Sequence, residues 1–230
     1  MTEDRFSRTR QLTGNEGIER LRKASLLIVG VGGVGSYAAE AAARAGIGHI
    51  TLIDGDIVQP SNLNRQLVAL TSTLGDNKAE VMAARIKDID PEIEVKAEAR
   101  FYKPGDETDL STYDWIIDAI DDIDGKTALI QRALEQRVKI ISAMGAAGKR
   151  GTDFKVSDIS KTSVCPLAKV MRRRLRDIGI EHLPVVFSEE KPAKRNGPLG
   201  TLSYVPGSAG LTLAGYVIQD LAFGDPEQDE

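Results

Sequence analysis

Short apolar or alternating runs are separated by stretches of helical periodicity along the first two thirds of the chain. The runs are typical of buried parallel strands and cover residues 26–29, 49–53, 93–97, 115–118 and 138–142. Helical periodicity covers residues 7–23, 35–45, 76–89 and 126–136. Strands that alternate with helices predict a Rossmann-like α/β fold, doubly wound around a mostly parallel sheet.

The rhythm of strands and helices weakens after about residue 151. Residues 154–159, 183–187 and 202–205 are predicted strands, and a helix of small residues closes the chain. Residues 166–178 predict an amphipathic helix with one apolar face: Leu167, Val170, Met171, Leu175 and Ile178. We therefore expect a core, residues 1–150, and a smaller α+β portion, residues 151–230, that completes the sheet of the same structural domain.

Composition narrows the class of protein. Apolar residues make up 41% of the chain and charged residues 28%, which is typical of globular rather than disordered proteins. Cys165 is the single cysteine, so an internal disulfide framework and a Cys₄ zinc site are excluded. The polar N-terminus has no signal-peptide core, and the apolar stretch 208–223 is shorter than the ~20 residues of a membrane helix. These features predict a soluble, cytoplasmic protein.

A glycine-rich loop follows the first predicted strand and opens a helix. Its glycines are Gly30, Gly32, Gly33 and Gly35. This pattern lets backbone N–H groups approach phosphate oxygens at a helix N-terminus. Asp54 lies 19 residues beyond Gly35, at the end of the next strand, where a carboxylate can bind ribose hydroxyls. The alternative is a tight turn whose glycines serve packing only, and alone the pattern would suggest a dinucleotide dehydrogenase.

A cluster of polar residues after Asp54 favours a triphosphate over a dinucleotide. The cluster consists of Asn62, Arg65, Gln66 and Lys78. Cations and amides of this kind suit the high charge of ATP. The alternatives are a solvated helix face for Lys78, a loop cap for Asn62 and a surface ion pair for Arg65. ATP is the predicted nucleotide.

Four aspartates follow the predicted strand at residues 115–118: Asp118, Asp121, Asp122 and Asp124. The carboxyl end of that strand should face the same crevice as the glycine loop. Asp121 is the candidate Mg²⁺ ligand, because a carboxylate facing a triphosphate usually holds this ion. Asp122 and Asp124 are expected to cap the next helix.

Basic residues concentrate between positions 161 and 200, where the net charge is +5 in a chain of −4. Charge so localised suits a phosphate backbone, although a solvated helix face is the usual meaning of a short basic run. The candidate RNA contacts are Lys169, Arg172, Arg173, Arg174, Arg176, Lys194 and Arg195.

The motifs GVGGVGS, LIDGD, SNLNRQ, GDNKAEVMAARI and DAIDDIDGK resemble the ubiquitin-activating-type superfamily, which includes the sulfur-carrier adenylyltransferases. The resemblance implies that Asp54, with Asp56, belongs to the nucleotide site. It also implies that Asn62, Arg65 and Lys78 contact the triphosphate. Asp121 would be the Mg²⁺ ligand and catalytic acid. Arg8 would reach the ATP of the partner subunit in a homodimer.

The downstream motifs KTSVCPLAKVMRRRLRDIGI, VVFSEEKP and GPLGTLSYVPGSAGLTLAGYVIQDL are similar to the bacterial tRNA threonylcarbamoyladenosine dehydratases. That family implies ATP-dependent adenylation of the threonine carboxylate and its cyclisation on the anticodon stem-loop of tRNA. Paired Cys-x-x-Cys motifs are absent, which excludes the structural zinc of the sulfur-carrier enzymes. Cys165 stands where the dehydratases tend to have an aspartate, and the long C-terminal extension of some members is lacking. We expect no stable membrane association.

Two other functions remain open at this point. One is adenylation of the C-terminal glycine of a ubiquitin-like sulfur-carrier protein, which would use the same nucleotide residues. The other is a NAD-binding dehydrogenase or a nucleotide sensor, against which the polar cluster argues. A sulfur-transfer partner is neither indicated nor excluded.

Overall fold

Seven strands form one sheet in the part of the chain that the computed structural model describes, residues 4–193, 197 and 199–224. The strands are β1 (Ser25–Val29), β2 (His49–Ile53), β3 (Glu94–Glu98), β4 (Trp115–Asp118), β5 (Lys139–Ala143), β6 (Lys155–Asp158) and β7 (Pro184–Phe187). Their order across the sheet is β3-β2-β1-β4-β5-β7-β6. Every neighbouring pair is parallel except β6 with β7. Strands from the residues after 151 thus extend the same sheet.

Helices cover both faces of this sheet. In the described residues they are α1 (Ser7–Lys23), α2 (Gly35–Ala45), α3 (Lys78–Ile89), α4 (Ile123–Glu135), α5 (Pro166–Asp177) and α6 (Tyr204–Phe223). Side chains of α2, α3, α6 and the end of α1 share one buried core, and those of α4 and α5 share a second. None of the described helices combines the length and apolar character that crossing a membrane requires.

The winding of the chain reverses at β1, which has β2 on one side and β4 on the other. At such a point the loops at the carboxyl ends of the strands diverge and leave a crevice. The predicted doubly wound, mostly parallel α/β fold is therefore confirmed, and the crevice lies where the glycine loop begins.

The predicted strand at residues 202–205 is wrong. Tyr204 begins α6, and Leu202 lies exposed ahead of the helix. Pro206 falls in the first turn of α6, where its missing N–H is tolerated. A short apolar run does not distinguish a strand from the buried first turn of a helix, which is why the sequence pattern misleads here.

The apolar face predicted for α5 is narrower than its sequence suggests. Met171 and Leu175 are fully buried, whereas Val170 and Ile178 are 41% and 43% exposed. Ala168, which the pattern did not mark, is buried beside them. A short, highly charged helix that packs on one neighbouring layer buries only the central stripe of its surface.

Close packing of α6 on α2 depends on a glycine. A Cβ atom on Gly210 would lie 2.2 Å from the backbone oxygen of Val34 and 3.0 Å from Cβ of Tyr37. Backbone atoms cannot yield as a flexible side chain can, so the helices approach each other at this point only without a side chain. The other end of α6 is held by Asp220, whose carboxylate accepts a hydrogen bond from Nε1 of Trp115 at 2.7 Å.

Replacement of Gly210 by alanine should destabilise the protein by about 1–3 kcal/mol, because the added methyl group forces α2 and α6 apart. Gly215 is the matched control on the same helix, since a Cβ there would meet nothing within 4 Å. Gly215→Ala should be neutral or stabilise by up to ~1 kcal/mol through helix propensity. Urea unfolding of both variants tests the packing; a shift of the same sign and size in both would contradict it.

Candidate active site

A cleft of about 670 Å³ opens at the carboxyl ends of β1, β2, β4 and β5. It brings together most of the residues that the sequence predicts for the nucleotide: Gly30, Gly32, Gly33, Asp54, Asp56, Arg65, Gln66, Lys78 and Asp121. Gly35, Asn62 and Arg8 do not line it. The cleft therefore unites segments that are far apart in sequence, as a Rossmann-like crevice should.

The glycine loop is shaped by two positions that exclude a side chain. Gly30 has φ +88°, a conformation that residues with a Cβ rarely adopt. Gly35 packs directly on the loop, because a Cβ there would lie 1.8 Å from the oxygen of Gly30. Gly35 thus serves the turn itself, while Gly32 and Gly33 face the cleft and leave the backbone accessible.

Asp54 ties the glycine loop to the end of β2. Its carboxylate accepts hydrogen bonds from the backbone N–H groups of Val31 at 2.6 Å and Asp56 at 2.8 Å. Burial raises the pKa of Asp54, and the two N–H groups and nearby Lys78 offset part of that effect. Each carboxylate oxygen keeps a further lone pair, so the side chain can still accept hydroxyl donors from a ligand.

Lys78 opens α3 and is buried, with 5% of its surface exposed. Nζ of Lys78 donates to Oδ2 of Asp56 at 2.8 Å, and the ammonium faces the cleft with donors to spare. The side-chain oxygen of Asn77 caps α3 by accepting from Ala79 N at 2.9 Å. The amide of Asn77 donates to the backbone oxygens of Asp54 and Asp56 at 3.0 and 3.1 Å. Sequence reasoning missed Asn77, although asparagine before a helix is a capping signal.

The loop between β2 and α3 presents Arg65 and Gln66 to the cleft. Nη1 of Arg65 donates to the backbone oxygen of Ser61 at 2.8 Å and to Oδ1 of Asn64 at 2.9 Å, which leaves the donors of Nε and Nη2 available. Oε1 of Gln66 is buried and has no hydrogen-bond partner in the described part of the chain. A buried acceptor of this kind beside a glycine loop fits a polar ligand in the cleft.

Asn62 lies behind the wall of the cleft. It is 7% exposed, and its Oδ1 accepts from the backbone N–H of Gln59 at 3.1 Å. This is the capping role that the sequence left as an alternative. Asn62 itself does not line the cleft in which a phosphate would lie. Arg8 is exposed on α1, outside the cleft of its own chain.

Asp121 is exposed in the cleft just after β4, on the side opposite Asp54. Its neighbour Asp122 caps α4, because Oδ2 of Asp122 accepts from Gly125 N at 2.7 Å. The capping role predicted for Asp124 is wrong: that carboxylate pairs with Arg174 at 2.6 Å. Asp121 is thus left facing the cleft, between a buried strand and a capped helix.

A fully buried triad fixes the backbone that carries Asp121. Oδ2 of Asp118 accepts from Nζ of Lys126 at 2.7 Å and from Oγ of Ser142 at 2.6 Å, and all three side chains are inaccessible. Oδ1 of Asp118 accepts from the backbone N–H of Ile120 at 3.1 Å, which shapes the turn leading to Asp121. Sequence reasoning missed Lys126, because a helical lysine gives no sign that it points into the core.

Phe101 forms a wall of the cleft that no sequence pattern indicates. It is 55% exposed, and its ring covers Gly55, where a Cβ would lie 2.7 Å from Cδ2 of Phe101. The surrounding loop is rigid. Arg100 binds Glu98, Asp106 and Thr108, and Arg132 binds the hydroxyl of Tyr102 and the backbone oxygens of Asp106 and Thr108. An exposed aromatic ring on a rigid loop is suited to stacking against a planar ligand.

Those predicted RNA contacts that fall within the described residues lie outside this cleft. Lys194 and Arg195 fall outside the described residues. α5 carries the other five: Lys169, Arg172, Arg173, Arg174 and Arg176. Arg172 and Arg174 make contacts within the chain, whereas the charged groups of the other three, which are exposed, make none within the described residues. Cys165 is 2% exposed at the start of α5 and is not presented to solvent.

Comparisons with known proteins agree with this geometry. A model of the ThiF family matches residues 6–225. The tRNA threonylcarbamoyladenosine dehydratase of Bacillus subtilis is 42% identical to the chain, and the similarity covers 94% of each sequence. The crystal structure of the Escherichia coli tRNA N6-threonylcarbamoyladenosine dehydratase in complex with ATP matches with a TM-score of 0.89 at 36% identity, over 94% of this chain and 93% of that one. The sulfur carrier protein adenylyltransferase of Thermus thermophilus is 36% identical over only 51% of this chain.

Removal of the buried ammonium group of Lys126 should lower the stability of the protein. Lys126→Met leaves Asp118 buried without its cation, which we expect to lower the free energy of unfolding by about 3–5 kcal/mol. The double variant Asp118→Asn, Lys126→Met removes both charges and should recover a large part of that loss. Urea unfolding measures both variants, with the exposed Lys23→Met as control. A single variant as stable as the parent protein would contradict the structural role of the triad.

Proposed function

The chain belongs to the ThiF family, and we propose that it is an ATP-dependent tRNA threonylcarbamoyladenosine dehydratase. One observation carries the proposal: a single cleft joins the glycine loop, the cations Arg65 and Lys78, and the carboxylate of Asp121. Relatives named as this dehydratase match almost the whole chain, which supports this function over the sulfur-carrier activation suggested by a likeness over half of it.

ATP would lie in the cleft with its phosphates on the glycine loop. Backbone N–H groups and the α2 N-terminus would bind phosphate oxygens, while Arg65 and Lys78 offset their charge. Asp54 would accept the ribose hydroxyls. In a Rossmann-like crevice the base lies beyond the ribose, toward β3, and there it would stack on Phe101. The unpartnered oxygen of Gln66 would find a donor on the bound ligand or an ordered water.

The proposed reaction activates a carboxylate, because direct substitution at its carbon would have to expel oxide, a poor leaving group. A carboxylate oxygen of the threonyl group attacks the α-phosphorus of ATP, and pyrophosphate leaves. A nitrogen of the carbamoyl group then attacks the activated carbonyl carbon and loses a proton, while AMP departs with the former carboxylate oxygen. Both reacting groups belong to one nucleotide, so the enzyme gains much of its rate by holding them in the right geometry. Arg65 and Lys78 would stabilise the charge on the phosphates as it shifts.

Mg²⁺ is part of this proposal. Within the described residues no three His, Cys, Asp or Glu side chains gather into a ligand set for a metal ion. This is compatible with Mg·ATP, in which phosphates and waters supply most ligands and the protein adds one or two carboxylates. Asp121 would hold the ion in the cleft, where the ion would lower the charge on the phosphates.

The tRNA partner would be engaged through its anticodon stem-loop, and the protein would act in the cytoplasm as a homodimer. Tyr204 and Leu211 lie on one face of α6, two turns apart, and are 49% and 53% exposed. Exposed apolar side chains at helical spacing support burial against a second copy of the chain. Arg8, exposed outside its own cleft, would reach the ATP of the other subunit in such a dimer.

The substrate that stimulates AMP release distinguishes the dehydratase from a sulfur-carrier adenylyltransferase. With ATP present, tRNA that carries threonylcarbamoyladenosine should stimulate AMP release, whereas tRNA lacking the modification and a sulfur-carrier protein should not. Asp121→Asn should lower kcat by a factor of roughly 100 or more, because a group needed in the transition state is lost. Asp124→Asn is the matched control and should stay close to the parent rate. AMP release with the carrier protein instead of tRNA would assign the other function.

Phe101 should set the affinity for the base of the nucleotide. Phe101→Ala should raise KM for ATP roughly tenfold with little change in kcat, because stacking on an aromatic ring contributes about 1–3 kcal/mol per base. Phe101→Trp should retain a low KM, and Phe223→Ala, an exposed phenylalanine on α6, should leave it unchanged. An unaltered KM for ATP in Phe101→Ala would contradict the stacking role.

A further inference from the structure

The five cations of α5 are of two kinds. Nη1 of Arg172 donates to the backbone oxygen and the hydroxyl of Thr162 at 2.7 and 2.8 Å, which ties α5 to the preceding turn. Arg174 pairs with Asp124 at 2.6 Å, which joins α5 to the first turn of α4. The positive charge of these two arginines is therefore already engaged within the protein.

The other three cations form an outer stripe along α5: Lys169, Arg173 and Arg176. They stand at positions i, i+4 and i+7 of the helix and so share one face. All three are exposed, and none makes an ion pair or hydrogen bond through its charged group within the described residues. Asp177, four residues after Arg173, is the one acidic residue of α5, and it makes no ion pair with these cations within the described residues. The outer stripe therefore carries a local excess of positive charge on a chain whose net charge is −4.

The outer stripe has a fixed position relative to the cleft. Leu167, in the first turn of α5, lines the cleft, whereas no later residue of this helix does, so the helix starts at the cleft wall. Lys169 is therefore the stripe residue nearest to the cleft, and Arg176 lies about 10 Å farther along the axis. Met171 and Leu175 are buried on the inner face of the helix. The ion pair between Arg174 and Asp124 links the helix to the first turn of α4, and Asp124 follows Asp121 by three residues in the sequence.

We infer that the outer stripe binds the RNA backbone in one polarity, with Lys169 on loop phosphates beside the modified nucleotide and Arg176 on phosphates of the stem. This rests on the proposed function, which places the modified nucleotide in the cleft. Arginine binds phosphate through paired donors, and exposed cations in a row neutralise successive phosphates of a strand. Neither Arg172 nor Arg174 takes part in this proposal, which is therefore narrower than the expectation from sequence that all five cations of α5 contact RNA.

Two RNAs of different length test the polarity. The full-length protein is titrated with an unmodified anticodon stem-loop and with a single strand of the loop alone, from low to physiological salt. The variants are Lys169→Gln, Arg173→Gln and Arg176→Gln, with Arg174→Gln and the distant Lys23→Gln as controls. Each stripe variant should reduce the salt slope of stem-loop binding by about 0.7–0.9, the value for one lost phosphate contact.

The proposed polarity predicts that the stripe variants affect binding of the two RNAs differently. Lys169→Gln should weaken binding of both, whereas Arg176→Gln should weaken the stem-loop and leave the loop strand unchanged. Equal effects of these two variants on the loop strand, or an effect of Arg174→Gln as large as that of Arg173→Gln, would overturn the assignment. Unchanged RNA binding in all three stripe variants would also overturn it and would point to a protein partner for this face.

Failure of this inference is distinguishable from failure of the proposed function. Binding of unmodified RNA needs neither ATP nor the threonylcarbamoyl group, so it reports on the stripe alone. If the stripe variants bind normally while modified tRNA still stimulates AMP release, the inference is wrong and the proposed function stands.

Discussion

The carboxylate of Asp54 is the contact on which the nucleotide site depends. It accepts the N–H of Val31 from the glycine loop and the N–H of Asp56 from the turn after β2. Asn77 adds the start of α3 to the same unit by donating to the backbone oxygens of Asp54 and Asp56. Hydrogen bonds consequently join the glycine loop, Asp54 and the start of α3 with Lys78 into one assembly. A site assembled before the ligand arrives spends little binding free energy on ordering its own loops.

The opposite wall of the cleft is built on a different kind of interaction. There a buried ion pair, Asp118 with Lys126, joins β4 to α4, and Ser142 adds β5. Such a pair contributes little net stability by itself, but the loss of either partner leaves a buried charge uncompensated. The other oxygen of Asp118 accepts from the backbone N–H of Ile120, which shapes the turn in which Asp121 faces the cleft. The two walls are separated at the point between β1 and β4 where the winding of the chain reverses. The space between the walls leaves room for a nucleotide and for the substrate carboxylate that it would activate.

Local patterns were enough to predict the first half of the fold. The apolar runs and the glycine loop fall where β1, α2 and β2 lie, because each of these elements is specified by its own residues. The residues 202–205 could not be assigned in this way, since burial of the first turn of α6 depends on distant neighbours. The residues of the candidate site divide in the same way, into those marked by a local pattern and those placed by tertiary contacts. Gly30, Asp54 and Lys78 carry recognisable patterns, but Lys126 and Phe101 owe their roles to Asp118 and Gly55, which only the tertiary structure brings to them.

The central claim is that the substrate carboxylate is activated by bonding to the α-phosphorus of ATP, in the cleft between Asp54 and Asp121. Transfer of oxygen tests this directly. The protein is incubated with Mg·ATP and tRNA whose threonyl carboxylate is labelled with oxygen-18, and the AMP is analysed by mass spectrometry. The mechanism predicts AMP that carries one labelled oxygen and a nucleoside that has lost the elements of water. Unlabelled AMP, or a cyclised nucleoside formed without AMP, would contradict it.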